Sequence, residues 1–373
     1  MSPGPRAWPR PQAPARSTLP VSRTLPCAVL LLAALLLALA GPAEARRFAL
    51  LVGNNLGGPD LDTLRHAEKD ARRMADVLTR LSGFDPADVT LLAGVDSAGL
   101  EKAFGEMRSR VSAPGAGLDA LFLFYYSGHS DRAGLRLGAR SYPLERLRDN
   151  LAAVPGQVRI GVFDACQSGL MTRFKGGSIS KPVSLESLRD IEGQVIISSS
   201  SMDEKSQESD QLQGSIFTHH WVNGLSGSAD LNADRRVTLS EAYQYAYKMT
   251  VQTTSRTRWG VQHPAYQFRI HGEGDIVLAD LNLGRSGLVF KPALEGKYLI
   301  LDRDQERLVA DFHKPAGKNL LISLQGGDYQ VVKVERGAWK VADAKVPENR
   351  SLEFDASTLK ARAQVVNPIK GHL

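Results

Sequence analysis

The sequence predicts an α/β protein: a mostly parallel sheet covered by helices on both faces, followed by a small all-β module. Two observations carry this. Between Arg47 and Ile197, short apolar runs of strand character alternate with segments whose apolar residues recur at the helical period. Beyond Gly274 the helical period disappears, and short alternating stretches follow one another between Gly-rich turns such as Gly326-Gly327-Asp328. At 373 residues the chain has room for both parts.

Ahead of the first strand, Cys27 to Ala40 reads CAVLLLAALLLALA, short of the ~20 residues that cross a bilayer. Arg23 precedes it, and Gly41-Pro42-Ala43-Glu44-Ala45 follows with an A-x-A pattern. Residues 1–45 therefore read as a secretory signal peptide cut after Ala45. The Pro- and Arg-rich start makes a long leading region, and translation beginning near Val21 would give a leader of ordinary length. Cys27 does not follow the apolar core, so no lipid attachment site is formed. The expected mature chain is exported, periplasmic or extracellular, with no stable membrane anchor.

After the leader, Arg47 to Val52 is a buried-strand run closed by Gly53-Asn54-Asn55 and the Gly57-Gly58-Pro59 loop. Leu61, Leu64, Ala67, Ala71, Met74, Val77, Leu78 and Leu81 then keep a helical period, with Gly83 as its stop. Asp88 to Leu92 is a second strand, Leu100 to Val111 a helix, and Leu121 to Tyr126 a third strand. Leu135 to Leu137 and Tyr142 bracket a hairpin; Leu144 to Leu151 is helical. Val158 to Phe163 is a fourth strand, and Val195 to Ile197 begins a fifth. Between them, Leu170 to Ile191 carries Arg173, Lys175 and Lys181 among glycines and a proline, and reads as a surface loop. Helices over 215–225 and 239–249 flank a polar loop. Residues 46–275 make one expected domain. The strands at 297–303, 307–312, 320–324, 329–334 and 339–341 make a second, a β-sandwich over 276–373 that frays from about Gln364. Trp339 and Tyr329 are expected core residues of that sandwich.

The net charge is +6, and half of it lies before Arg46, too small and too misplaced a surplus for nucleic-acid binding. Once the leader is removed, one cysteine is left, Cys166. A lone thiol in an exported protein is either an intermolecular bridge or a reactive group. Cys166 follows the strand ending at Asp164, and His129 follows the strand ending near Tyr126. Ligands and catalysis collect at that edge of an open α/β sheet, and a thiol nucleophile needs a neighbouring imidazole. His219, His220 and His263 are the other candidate bases.

Four motifs, in order along residues 46–275, resemble those of the caspase–metacaspase group of cysteine peptidases. They are Phe48-Ala-Leu-Leu-Val-Gly-Asn-Asn55, Leu64-x-x-Ala67-x-x-Asp70-Ala71, Tyr125-Tyr-Ser-Gly-His129 and Asp164-Ala-Cys-Gln-Ser-Gly169, with Gly214-Ser-Ile-Phe-Thr218 beyond them. The resemblance implies a caspase-like three-layer α/β sandwich and an endopeptidase with Cys166 as nucleophile and His129 as general base and acid. It places the oxyanion hole at the backbone N–H groups of Cys166 and Ser130, where the family usually has Gly instead of Ser130. Caspases carry Gln two residues before the cysteine and hold an acidic P1 side chain with arginines. Metacaspases carry Asp there and prefer Arg or Lys. This chain has Asp164, and Leu64 at the position of the caspase arginine, so the expected P1 residue is basic, with Asp70 as second carboxylate. The loop over 171–190 is then a site for self-cleavage. Protein or peptide substrates are the expected partners; a catalytically inactive caspase-fold scaffold is the alternative.

A second constellation runs Asp230-x-Asn232-x-Asp234-Arg-Arg236-Val237-Thr238-x-x-Glu241. Oxygen donors at positions 1, 3 and 5, a backbone carbonyl at Arg236 and Glu at position 12 match a calcium-binding EF-hand loop. Arg235 stands at position 6, where such a loop wants Gly. Calcium is the cofactor this spacing suggests, against a capped loop in which the Asp residues merely start the next helix; thiol hydrolysis requires no cofactor.

Overall fold

The computed structural model describes residues 45–114, 119–165, 192–201, 204–271, 275–335 and 338–362. The leader, Cys166, the 171–190 loop and the chain end beyond Arg362 lie outside them. In chain order the first layer elements are β1 Arg47–Asn54, α1 Ala67–Leu81, β2 Val89–Ala93, α2 Ser97–Val111 and β3 Leu121–Gly128. The hairpin β4 Gly134–Leu137 and β5 Arg140–Pro143, α3 Leu144–Ala153, β6 Val158–Asp164 and β7 Glu192–Ser198 follow. Next come the short hairpin β8 Glu208–Ser209 and β9 Gly214–Ser215, α4 Ile216–Asn223, β10 Arg236–Thr238, α5 Leu239–Thr254 and β11 Ala265–His271.

Six of these strands form one sheet in the order β11-β7-β6-β3-β1-β2. Every neighbouring pair is parallel except β11 with β7. β1 and β3 are buried along their whole length, which explains their near-continuous apolar sequences. Period-2 alternation divides each strand between two cores. Ala49, Leu51, Leu123, Tyr125, Ile160 and Val162 pack under α1, α4 and α5. Phe48, Leu50, Val52, Phe122, Phe124 and Phe163 pack under α2, α3 and the β4–β5 hairpin. The result is the expected three-layer sandwich.

One boundary differs from expectation. The apolar period from Leu61 leads into α1 only at Ala67. The Leu64 N–H donates to Asn55 O, and the Arg65 and His66 N–H groups donate to the Glu208 carboxylate, so backbone donors a helix would use are tied to other segments. Leu61 is left exposed.

The module comprises β12 Val277–Asp280, β13 Gly287–Phe290, β14 Gly296–Asp302, β15 Arg307–Lys314, β16 Leu320–Ser323, β17 Gly327–Glu335, β18 Ala338–Val346, β19 Ser351–Glu353 and β20 Lys360–Arg362. Sheets ordered β15-β14-β17-β18-β20 and β16-β13-β19 enclose a separate core around Phe290, Tyr298, Phe312 and Ile322. Tyr329 belongs to that core and Trp339 is half-buried in β18. Yet Ala45 to Leu373 form one compact unit. β12 pairs with β10, and Ile276, Leu278, Leu281 and Leu321 join the core under α1, α4 and α5. Arg47, at the head of β1, is buried with its guanidinium on the carbonyls of Ser82 and of Val277. No described helix is long and apolar enough to cross a membrane.

Candidate active site

β3 and β6 are central neighbours, and their register pairs Ser127 with Asp164. His129 and Cys166 each stand two residues beyond this pair. Cys166 itself lies outside the described residues, and Ala165 before it is buried with its carbonyl accepting from Ser200 Oγ at 3.4 Å.

The His129 ring is held on several sides. Its Nε2 lies 2.7 Å from the Asp62 carbonyl. A carbonyl only accepts, so Nε2 carries the proton and the neutral ring has Nδ1 as its basic nitrogen. Gly57 packs against the ring: a Cβ there would lie 2.5 Å from His129 Cδ2. The His129 carbonyl accepts from Tyr126 Oη at 2.7 Å and from the Arg136 N–H at 2.9 Å. Burial pushes the Tyr126 phenol far up, which keeps it a donor. Arg136 also donates from Nε to Gly57 O at 2.9 Å and forms ion pairs with Asp60 and Asp131, drawing the 57–60 loop onto the histidine turn. Ser130 forms a bridge with Leu135.

Asp164 and Asp70 come together beneath this edge, both buried. Asp164 accepts from Ser206 Oγ at 2.6 Å and from Thr218 Oγ1 at 2.5 Å. Thr218 spends its one hydroxyl proton on Asp164, so Tyr125 Oη, 2.7 Å away, donates to it. Burial, with the charges of Asp70 and Asp164, drives the Tyr125 phenol well above its ordinary range. Asp70 accepts from the Ser215 N–H at 2.8 Å and pairs with Arg73 at 3.4 Å. Burial pushes its carboxyl well up, Arg73 pulls it down, and Asp164 pushes it up again. Gly214 leaves room for the pair, since a Cβ there would meet Arg73 Nη1 at 2.4 Å and Asp70 Oδ1 at 2.6 Å.

The other histidines stand elsewhere. His219 and His220 are buried on α4, against Asn223 and Thr253. Burial lowers His219 well below its ordinary pKa and His220 to about 3. His263, ahead of β11, pairs through Nδ1 with Glu204 at 2.6 Å.

In the 230–241 loop, Asp230 accepts from the N–H groups of Asp234 and Arg235, and Asp234 accepts from that of Arg236. Asn232 Nδ2 donates to Asp234 and Glu241. Glu241 closes a capping box with Thr238 at the start of α5, so the carboxylates also serve as caps. Arg235 takes a left-handed conformation, φ 66°, at the position where an EF-hand has Gly. Among the described residues, no group of three or more His, Cys, Asp or Glu stands ready to hold a metal ion.

Sequence reasoning missed Gly57, Asp62, Thr218, Ser206, Arg73 and Arg136. Only Arg73 carried a local signal, its i+3 spacing from Asp70 on one helix face.

The family model described as "Caspase domain", Peptidase C14, matches residues 46–264. The crystal structure of caspase-1 from Spodoptera frugiperda aligns at 15% identity over 63% of this chain and 90% of that chain, with a TM-score of 0.45. No curated protein matches the chain.

Proposed function

The chain belongs to the caspase-domain family of cysteine peptidases, which act on proteins, and from that premise we propose an exported endopeptidase that works through His129 and Cys166 and cuts after Arg or Lys. The observation that supports this reading is the Ser127–Asp164 register: two neighbouring strands end together at one edge of the sheet, and His129 and Cys166 each follow two residues later in sequence. His129 Nδ1 takes the Cys166 proton. The thiolate attacks the scissile carbonyl, and the N–H groups of Cys166 and Ser130 receive the oxyanion. The imidazolium gives its proton to the leaving amine as the C–N bond breaks. Water, losing a proton to Nδ1, then cleaves the thioester and restores the thiol.

Basic P1 selection is supported by Asp164. Among the described residues its hydrogen bonds come from two neutral hydroxyls, while Arg73 is paired with Asp70. A buried carboxylate held that way is short of a counter-ion, and a substrate guanidinium supplies one. Export after cleavage at Ala45, self-cleavage within 171–190, a domain boundary near 275 and calcium at Asp230–Glu241 are further proposals that rest on sequence. A calcium-dependent rise in Tm checks the last.

The test is hydrolysis of matched fluorogenic peptides with Arg, Lys, Asp or Ala at P1, under reducing conditions. Arg and Lys peptides are expected to be cut by the mature chain and spared by Cys166→Ala. Asp164→Asn loses about 10–100-fold in kcat/KM on Arg, the worth of one charge-assisted bond at roughly 1.5–3 kcal/mol. Silence from a wild type whose Cys166 reacts with a thiol probe moves the assignment to a scaffold, which Ser130 at the oxyanion position favours.

A further inference from the structure

The turn beside Asp70 and Asp164 touches the C-terminal module. This turn, residues 210–213, joins β8 to β9. Its Leu212 carbonyl accepts from Arg73 Nη2 at 3.3 Å, and three residues on, the Ser215 N–H reaches Asp70. Just before it, Ser206 bonds Asp164 and Glu208 accepts from the Arg65 and His66 N–H groups, while Asp210, in the turn itself, bonds the side chains of Arg65 and His66. Among the described residues, the side-chain partners of the two carboxylates, and the Ser215 N–H, thus lie on this hairpin, its flanks, or α1 and α4 beside it.

Gln213 closes the turn in a left-handed conformation, φ 49°, which a non-glycine residue adopts only when its surroundings hold it. On its far side Gln213 Nε2 donates to the carbonyl of Gln305, at the tip of the β14–β15 hairpin, at 3.2 Å. Arg307, at the start of β15, is half-buried there, its charge facing Arg73 and His219. The module touches α1 again at Asp76, through Gln325 Nε2 at 2.9 Å, away from the turn.

We propose that the β14–β15 hairpin is a positioning element of the P1 pocket, with Gln213 as the residue through which it fixes the 210–215 turn around Asp70 and Arg73. The inference rests on the basic-P1 reading of that pocket. It gives the module a part in substrate selection rather than in bond cleavage.

The full-length mature chain, Gln213→Ala and Gln325→Ala are compared on the Arg peptide and in alkylation of Cys166 by iodoacetamide, which makes no use of the P1 pocket. Gln213→Ala is expected to raise KM about 3–10-fold with kcat within about twofold and alkylation unchanged, as expected for lost uniform binding. Gln325→Ala is expected to change none of the three. Normal KM in Gln213→Ala overturns the proposal alone, as does an equal KM rise in Gln325→Ala or a parallel fall in alkylation, each meaning general loosening. Failure of the wild type to cut any Arg or Lys peptide overturns the P1 reading and this proposal with it.

Discussion

Gly57 has no side chain where the His129 imidazole needs the space, and that close approach makes the glycine part of the site. Gly57→Ala sets a methyl group 2.5 Å from His129 Cδ2 and must push the ring off the Asp62 carbonyl. A displacement near 1 Å costs on the order of 100-fold in rate, so kcat/KM is expected to fall by about that factor while far-UV circular dichroism stays unchanged. Activity within about twofold of wild type would show the ring free to move without penalty. At this scale the sequence displayed the reactive types and hid their keepers. His129 and Asp164 were legible because each closes a strand, and strand ends collect at one edge. Thr218, 54 residues from Asp164, and Asp62, 67 residues from His129, meet their partners only through the fold. A serine, threonine or carbonyl has no local pattern that announces such a bond.

α4 carries its own prediction. His219 and His220 are buried and neutral, with pKa values held down by desolvation first, to about 3 for His220. An unfolded imidazole titrates near 6.5. Above that pH neither state is protonated and the stability is full; below it the unfolded chain takes up protons that the folded chain refuses. Each histidine then costs about 1.4 kcal/mol per pH unit, continuing down to the folded pKa. Asp70 and Asp311, whose burial raises their pKa, work in the opposite direction as pH falls. The useful quantity is therefore a difference: between pH 6.5 and 4.5, Tm of His220→Gln should fall less steeply than that of wild type. Parallel curves would mean that His220 titrates normally. The elements themselves were largely visible, because the 2.0 and 3.6 periods differ and β1, β3 and β6 are buried on both faces. Less visible were the start of α1, decided by Glu208 far along the chain, and β11, whose Ala265-Tyr-Gln-Phe-Arg-Ile-His271 follows a His-Pro pair and finds its place only by pairing with β7. Four-residue or shorter strands such as β12, β13 and β19 carry too few alternations to register as a period.

At the scale of the whole molecule, the all-β character of the chain beyond Gly274 was legible, while its attachment was not. Ile276, Leu278 and Leu281 look in sequence like any short strand, and they lie in the core of the preceding layers. Gly227 marks how close the contact is, since a Cβ there would come within 2.1 Å of the Leu321 carbonyl. A chain ending at His271 uncovers that core, and each fully buried aliphatic side chain lost is worth about 1.5–3 kcal/mol. Such a chain is expected to aggregate or to melt without cooperativity in calorimetry; a soluble product with a sharp transition would show that the module is dispensable for folding. The burial of Arg47 extends this to the order of events in time. The guanidinium at the head of the first strand receives one of its acceptors from Val277, 230 residues later. During synthesis the opening strand therefore emerges long before this acceptor exists, and closing so large a loop is slow. The first strand thus finds this acceptor only after about three-quarters of the chain has been made.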